Sequence, residues 1–306
     1  MTPATTLPSR PSRSAAWRLA IRPQTLPVSI GPVLVGVAAG WAEGGWRPVA
    51  AVAAIVVALL LQIAANLAND LFDFRAGTDT ADRLGPPRAA ALGLLTEREL
   101  IAGIAVVVGL AALGGLVLVA IGGPVILVLG LAAIVSLLAY SGGPWPYGYH
   151  GLGEVFVFVF FGVVAVAGTA YLQTDRWEPL SFAASIPMGC LVTVVLAVNN
   201  LRDIDTDAAT GKRTLAVRIG VRATQIECAL LVLVAYAVPI VLVVGRWLGP
   251  AAMLPLLSLP LAVPLARIVF AGGEPRRLNA VLGGTARLSL VFALLFTLGI
   301  VIGARP

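Results

Sequence analysis

Charge is scarce in this sequence. Asp, Glu, Lys and Arg make up 12% of its 306 residues, about half the share of an ordinary soluble domain. So little charge excludes a water-facing surface over most of the molecule. Cysteine is scarcer: Cys190 and Cys228 are the only two, too few for a disulfide framework. Both lie in apolar runs, where a free thiol serves as a small buried or lipid-facing residue. There is one histidine, His150, which excludes a histidine-built metal site. No Gly-rich phosphate loop and no G-x-S-x-G elbow occur, and Gly142-Gly143-Pro144 reads as a turn. No short repeat recurs at a fixed period. The start, MTPATTLPSRPSRSAAWR, is basic and rich in Pro and Ser. It shows no apolar stretch followed by a small-residue cleavage site, so no removable signal is expected. Residues 1–16 are expected to form a flexible cytoplasmic tail on a single domain covering 1–306.

Apolar residues fill the chain instead. They make up 59% of it, and the mean hydropathy is +0.96. This composition predicts an all-α, polytopic membrane protein. A helical span needs about 20 mostly apolar residues. Nine spans are expected: 25–40, 48–70, 98–120, 124–141, 152–172, 180–200, 224–245, 249–270 and 284–303. The first and fourth are short.

Basic residues set the orientation. With the N-terminus in the cytoplasm, the cytoplasmic side carries seventeen Arg and Lys, and the opposite side only Arg47, Arg176, Arg246 and Arg305. This is a strong positive-inside bias. The net charge of +6 therefore reports orientation, and no nucleic-acid partner is needed to explain it. The long loops 71–97, 142–151, 201–223 and 271–283 all fall on the same side. Long ordered loops tend to carry function, so the working face is expected in the cytoplasm, in an inner or plasma membrane, with the C-terminus outside.

Two stretches on that face carry the chemistry. The apolar run 48–65 ends in NLANDLFDFRAGTD (66–79), and span 180–200 ends in NNLRDIDTDAATGKRTLAVRIG (199–220). Asn66, Asp70, Asp73 and Gly77 recur at steps of four, three and four, one helical face with Asn69 beside it. Asn199, Asp203 and Asp207 repeat the pattern at steps of four, and Asp79 and Asp82 follow the first group. Carboxylates this close repel unless a positive charge sits among them. A hard divalent cation such as Mg²⁺ prefers oxygen ligands and is usually held by one or two carboxylates plus substrate phosphates. Helix C-termini favour a cation as well. A solvated acidic loop is the plainer reading of either stretch alone, but two matching stretches at membrane-helix ends argue for function. Arg75, Arg202, Lys212 and Arg213 stand close enough in sequence to neutralise a diphosphate. Lys212 is the only lysine; a topology anchor is its plainer role.

The two acidic stretches resemble the paired Asp-rich motifs of the UbiA superfamily of intramembrane prenyltransferases. The resemblance covers nearly the whole chain. It implies nine helices around a central cavity and Mg²⁺-dependent transfer of a prenyl group from a polyprenyl diphosphate. RPQTLPVSIGPVLVG (22–36) and YSGGPWPYGYHGLGEVFVFVFFGVVAVAGTAYLQT (140–174) are similar to the 1,4-dihydroxy-2-naphthoate branch of menaquinone synthesis. Gly77 in place of a third Asp, and Pro144 in place of a Lys, fit that branch too. The resemblance then implies that Asp70, Asp73, Asp79, Asp203 and Asp207 hold metal, two Mg²⁺ ions, with Lys212 on the diphosphate. Asn66, Asn69, Arg22, Arg75, Tyr140, Tyr149, Asn199, Arg202 and Glu154 are the substrate-binding candidates. The partners implied are a polyprenyl diphosphate, dihydroxynaphthoate and membrane lipid.

Plainer roles stand beside several of these. Tyr140, Tyr147, Tyr149 and Trp145 suit an interfacial aromatic belt as well as a substrate site. Glu154 is placed either to orient a loop Tyr or Arg or to touch substrate. Arg22 suits a topology anchor equally. Two other functions compete: prenyl transfer to 4-hydroxybenzoate or homogentisate, and cation-coupled transport. Transport would place its acids near the membrane midplane on broken helices, whereas these cluster at one face.

Overall fold

The computed structural model describes residues 11–79, 84–272 and 274–304. Among the described residues there is no strand. Helices α1 (Arg13–Ile21) and α2 (Pro27–Ala42) are joined by one 3-10 turn and meet at a 43° bend. Helices α3 (Pro48–Arg75) and α4 (Glu97–Ala139) follow. Helix α5 (Gly153–Val157) passes through a π-helical segment, Phe158–Val164, into α6 (Ala165–Thr174). Then come α7 (Pro179–Arg202), the short α8 (Ile204–Ala209) and α9 (Leu215–Val244). A 3-10 stretch, Pro250–Ser258, leads into α10 (Leu259–Ala271), and α11 (Leu278–Gly303) completes the bundle.

The helix starts are written locally. Proline opens α2, α3 and α7, where its missing N–H would have no intrahelical partner anyway. Thr96 and Glu99 form a capping box at α4: the Thr96 hydroxyl accepts from the Glu99 N–H, and the Glu99 carboxylate accepts from the Thr96 N–H. Ser12 caps α1 by accepting from the Ala15 N–H at 3.3 Å, and Ala16 is buried. The flexible tail expected over 1–16 therefore gives way to a helix at Arg13. Residues 1–10, together with Asp82, Arg83 and Arg305, lie outside the described residues.

Seven described segments are long and apolar enough to cross a membrane, or eight if the bent pair α1–α2 counts as one. The nine expected spans are not resolved by length and composition because two short ones belong to broken elements. Span 25–40 is the far limb of the bent pair. Span 98–120 and all but the last two residues of span 124–141 lie inside α4, whose 43 residues would reach about 65 Å if straight. Gly123 breaks it at φ 70° and ψ −160°, next to Pro124, a pairing that removes both the helical dihedral and a donor. Glu97 at one end of α4 bonds Arg75, and Ser141 just past the other end bonds Asn69. Both ends therefore lie at the C-terminal end of α3, and the chain folds back at Gly123.

Helix α7 runs through the core, with Met188 and Val198 fully buried, and packs on α2, α9 and α11. Small residues let the backbones close up: a Cβ on Gly36 of α2 would stand 2.5 Å from the Val166 carbonyl oxygen. The outside is apolar, with Val106, Leu113, Val135, Val244 and Leu257 all exposed, as a lipid-facing surface requires. One end of the bundle gathers the C-terminal ends of α3 and α7, the loop 140–151, the segment 84–96 and the start of α9. At the opposite end the Arg47 N–H donates to Gln173 Oε1 at 2.7 Å and the Arg47 guanidinium pairs with Asp175.

Candidate active site

The first acidic stretch occupies the last turns of α3 and stops at Gly77, whose φ of 70° ends the helix at low cost only for glycine. Asp70 and Asp73 are 1% and 3% exposed. Segment 84–96 folds over them. Asp70 accepts from the backbone N–H of Ala89 at 3.1 Å and of Ala90 at 3.2 Å. Buried Arg88 donates from Nη2 to Asp73 Oδ2 at 2.9 Å, and its Nε lies 3.3 Å from Asp79 Oδ2. Tyr149 donates its hydroxyl to the other Asp73 oxygen at 2.8 Å. Burial and the Asp73 charge both push the Tyr149 phenol well above its ordinary pKa, so it stays a donor.

The second stretch ends α7. Arg202 is 2% exposed and forks onto Asp203 through Nε at 2.8 Å and Nη2 at 2.5 Å. The same side chain donates to Asn199 Oδ1 at 2.9 Å and Asn279 Oδ1 at 2.8 Å. Asn279 in turn donates to the Leu84 carbonyl, which ties α11 and segment 84–96 to the second stretch. Lys212 Nζ stands 3.9 Å from Asp207 Oδ1 and 5.0 Å over the Tyr149 ring. Tyr149 thus touches both acidic stretches.

Several expected residues do other work. Arg75 is exposed and bonds Glu97 at 2.8 Å; it lies at the end of its helix, where water competes for it, and does not join the buried cluster. Asn66 is a structural clamp. Its amide donates to the Ile21 carbonyl and to Thr25 Oγ1, and its oxygen accepts from Gln62. Asn69 accepts from Ser141. Glu154 is buried and accepts from Asn200 Nδ2 at 2.8 Å, so its bonded partner is neither a loop Tyr nor an Arg. Arg22 terminates α1 in the left-handed region, its N–H on the Arg18 carbonyl, beside the strand of chain that Asn66 holds. His150 bonds the Pro146 carbonyl and stacks on exposed Trp145. Sequence reasoning missed Arg88, counted only as one of many basic loop residues, and Asn279, which no spacing distinguishes.

Among the described residues no three His, Cys, Asp or Glu side chains converge as a metal cage. The donor chemistry still fits a hard cation. Asp70, Asp73 and Asp203 are buried carboxylates at two helix C-termini, with buried Asp207 close by on α8, and a cation of the Mg²⁺ type needs only one or two such groups when substrate oxygens complete its shell.

Beside the first stretch opens a cavity of about 650 Å³. Asn66, Asn69, Tyr140 and Tyr147 line its polar end, and Ala54, Leu118, Ile126 and Leu172 its far end. The α3 face from Ala54 to Asn69 forms one wall, about 22 Å long at the helical rise. A charged site above a long apolar chamber defines a membrane enzyme acting on an amphiphile with a polar head and a hydrocarbon tail.

The chain belongs to the UbiA prenyltransferase family, whose sequence model matches residues 29–292, and it is a multi-pass membrane protein. It is 41% identical over 283 residues to the 1,4-dihydroxy-2-naphthoate octaprenyltransferase of Mycobacterium tuberculosis, covering 92% of this chain and 94% of that one. The Escherichia coli 1,4-dihydroxy-2-naphthoate octaprenyltransferase is 39% identical over 298 residues, covering 94% and 96%. A UbiA homolog from Archaeoglobus fulgidus, solved bound to GPP and Mg2+, has the same fold at a TM-score of 0.63, with 15% identity and coverage of 92% and 99%.

Proposed function

We propose that this protein transfers a polyprenyl group from a polyprenyl diphosphate to 1,4-dihydroxy-2-naphthoate, with loss of the acceptor's carboxylate as CO₂, to give a demethylmenaquinol, the reduced form of a demethylmenaquinone. The observation that carries the reading is its likeness, end to end, to 1,4-dihydroxy-2-naphthoate octaprenyltransferases. The apolar chamber supports it, since it suits an isoprenoid tail.

The allylic C–O bond breaks and its electron pair leaves on the diphosphate. The ring carbon that bears the carboxylate supplies the pair for the new C–C bond. Departure of CO₂ then returns a pair to the ring and restores aromaticity. Asp70 and Asp73, with Asp79, and Asp203 with Asp207 would hold Mg²⁺, two ions on this reading, and the metal would supply positive charge against the leaving diphosphate. The Archaeoglobus homolog's Mg2+ and GPP support divalent metal use here. Lys212 would meet the diphosphate directly, with Arg22 and Asn199 near its path. Arg202 fixes Asp203 and Asn199 for that task. Tyr149 holds Asp73 in place, and Tyr140 closes the polar end of the chamber. The chamber walls keep water from the cation-like allylic carbon. The working end is assigned to the cytoplasmic face of an inner or plasma membrane by the charge bias.

The test is a product mass spectrum from purified protein in liposomes, supplied with the naphthoate, 4-hydroxybenzoate and a mixture of prenyl diphosphates. A prenylated, decarboxylated naphthoate is expected. Prenylated hydroxybenzoate alone, or no prenyl product, overturns the reading.

A further inference from the structure

The Gly153–Thr174 span is not one regular helix. Its seven residues Phe158–Val164 are π-helical. Such turns are rare and cluster at functional sites. Its back is seated on α7 by two glycines: a Cβ on Gly162 would stand 2.8 Å from Gly189 Cα, and one on Gly189 would stand 2.8 Å from the Phe158 ring. Its front faces the cavity. The adjacent residues Phe160 and Phe161 both line it, with Phe156 above them. The π segment thus brings two consecutive phenylalanines to the cavity.

The rings are ordered. Tyr147 and Phe156 stack at 4.0 Å and 21°, and Phe156 and Phe160 continue at 6.3 Å and 20°. Phe156, Phe160 and Phe161 together give this part of the cavity an aromatic lining of three phenylalanines. The cavity is also bounded by Gln62, whose amide donates to Asn66 at 3.3 Å. The far end of the cavity has no such features: Ala54, Leu118, Ile126 and Leu172 are aliphatic or small.

The two parts suit different molecules. An isoprenoid tail needs only apolar contact. A planar aromatic ring gains from flat ring faces, and its hydroxyls need hydrogen-bonding partners once out of water. We propose that the part of the cavity bounded by Phe156, Phe160, Phe161 and Gln62 is the acceptor subsite, shaped for a planar, fused-ring hydroxyaromatic carboxylate. Phe160 and Phe161 select the fused ring over a single ring, and Gln62 positions its polar edge. This deepens the prenyl-transfer reading and rests on it.

Kinetics on the full-length protein in liposomes test it. In Phe160→Leu, Phe161→Leu and Gln62→Leu the KM for the naphthoate should rise about tenfold, while the KM for the prenyl diphosphate stays within about twofold. Naphthoate binding followed by its own fluorescence, without prenyl diphosphate, should weaken by the same factor. Phe160→Tyr, which keeps the ring, should restore it and guards against simple misfolding. Deleting Val159, an exposed residue of the π segment, should cost acceptor affinity, while Val159→Ala should not. If all variants bind the naphthoate as the parent does while the parent still prenylates it, the subsite is wrong and the function stands. A rise confined to the prenyl diphosphate KM would put the tail against the rings and overturn the proposal. A parent that gives no prenylated naphthoate overturns the function itself.

Discussion

Arg88 donates a 2.9 Å hydrogen bond to Asp73, fifteen residues before it in the chain. Its Nε is also 3.3 Å from Asp79, and all three side chains are nearly sealed from water. A buried cation between two carboxylates is expensive to remove, because the acids then keep their charge without compensation. Arg88→Gln should lower stability by about 3–5 kcal/mol. Added Mg²⁺ or Mn²⁺ should raise its melting temperature more than that of the parent. Equal metal stabilisation of both proteins would show that these acids take up no metal.

The two acidic stretches should answer differently to amide substitution. Asp70 accepts from two backbone N–H groups, so Asp70→Asn turns an NH₂ against a donor. It should abolish turnover and also cost about 1–3 kcal/mol of stability. Asp203→Asn should abolish turnover and cost about 3–5 kcal/mol, because buried Arg202 loses its counter-charge and keeps only its bonds to Asn199 and Asn279. Activity assays beside thermal melts separate the two. Full activity in both variants, or undiminished rates in EDTA, would sink the metal assignment.

Lys212 sits over Tyr149 and near Asp207. Loss of a charge-assisted contact to diphosphate is worth about 1.5–3 kcal/mol, roughly 10- to 100-fold. Lys212→Ala should weaken prenyl diphosphate binding by that factor and leave acceptor binding nearly unchanged. Titrating each substrate separately reads the difference; equal effects on both would point to a purely structural lysine.

Glu43 lies at the opposite end of the bundle. Burial and then the nearby Glu178 push its pKa from an ordinary 4.5 up to about 7, against the opposing pull of Arg176 and a hydrogen bond at Ser181. The folded protein therefore holds a proton there that the unfolded chain has already lost. Stability should fall as pH rises from about 4.5 to 7. Melts across that window should show the decline in the parent and lose most of it in Glu43→Gln. An unchanged decline in Glu43→Gln would assign the effect elsewhere.

In a cysteine-free background, Ala76→Cys and Ala208→Cys should resist an impermeant thiol reagent in intact cells and react once cells are opened. Gly44→Cys should react in intact, outer-permeable cells. The first two sites lie within the acidic stretches and Gly44 marks the opposite end. Labelling of Ala76→Cys and Ala208→Cys in intact cells would invert the assigned orientation.

Much of this was legible in the sequence because it is local or periodic. Apolar runs mark the helices wherever lipid replaces water, and the i, i+3, i+4 spacing of Asp70 and Asp73 puts acids on one face before any tertiary contact exists. Prolines at helix starts and the Thr96–Glu99 capping box are likewise written within a few residues. The short spans were the least legible. The apolar runs already separate 98–120 from 124–141 on either side of Gly123 and start the first span at the end of the 3-10 turn. The direction the chain takes at each break is a backbone event that window hydropathy does not register.

Pairing belongs to the tertiary structure alone. The sequence determined which residues carry charge at the membrane edge, but not which cation meets which anion. Arg88 reaches Asp73 across 15 residues, Arg202 reaches Asn279 across 77, and Asn279 reaches Leu84 across 195. Asn66 looked like a ligand beside the acids and became a clamp on Ile21 and Thr25. The reason is desolvation. Once helices pack and water leaves, every buried polar atom must take whichever partner the fold brings within about 3 Å, and that partner is fixed by helix docking, which no local pattern encodes.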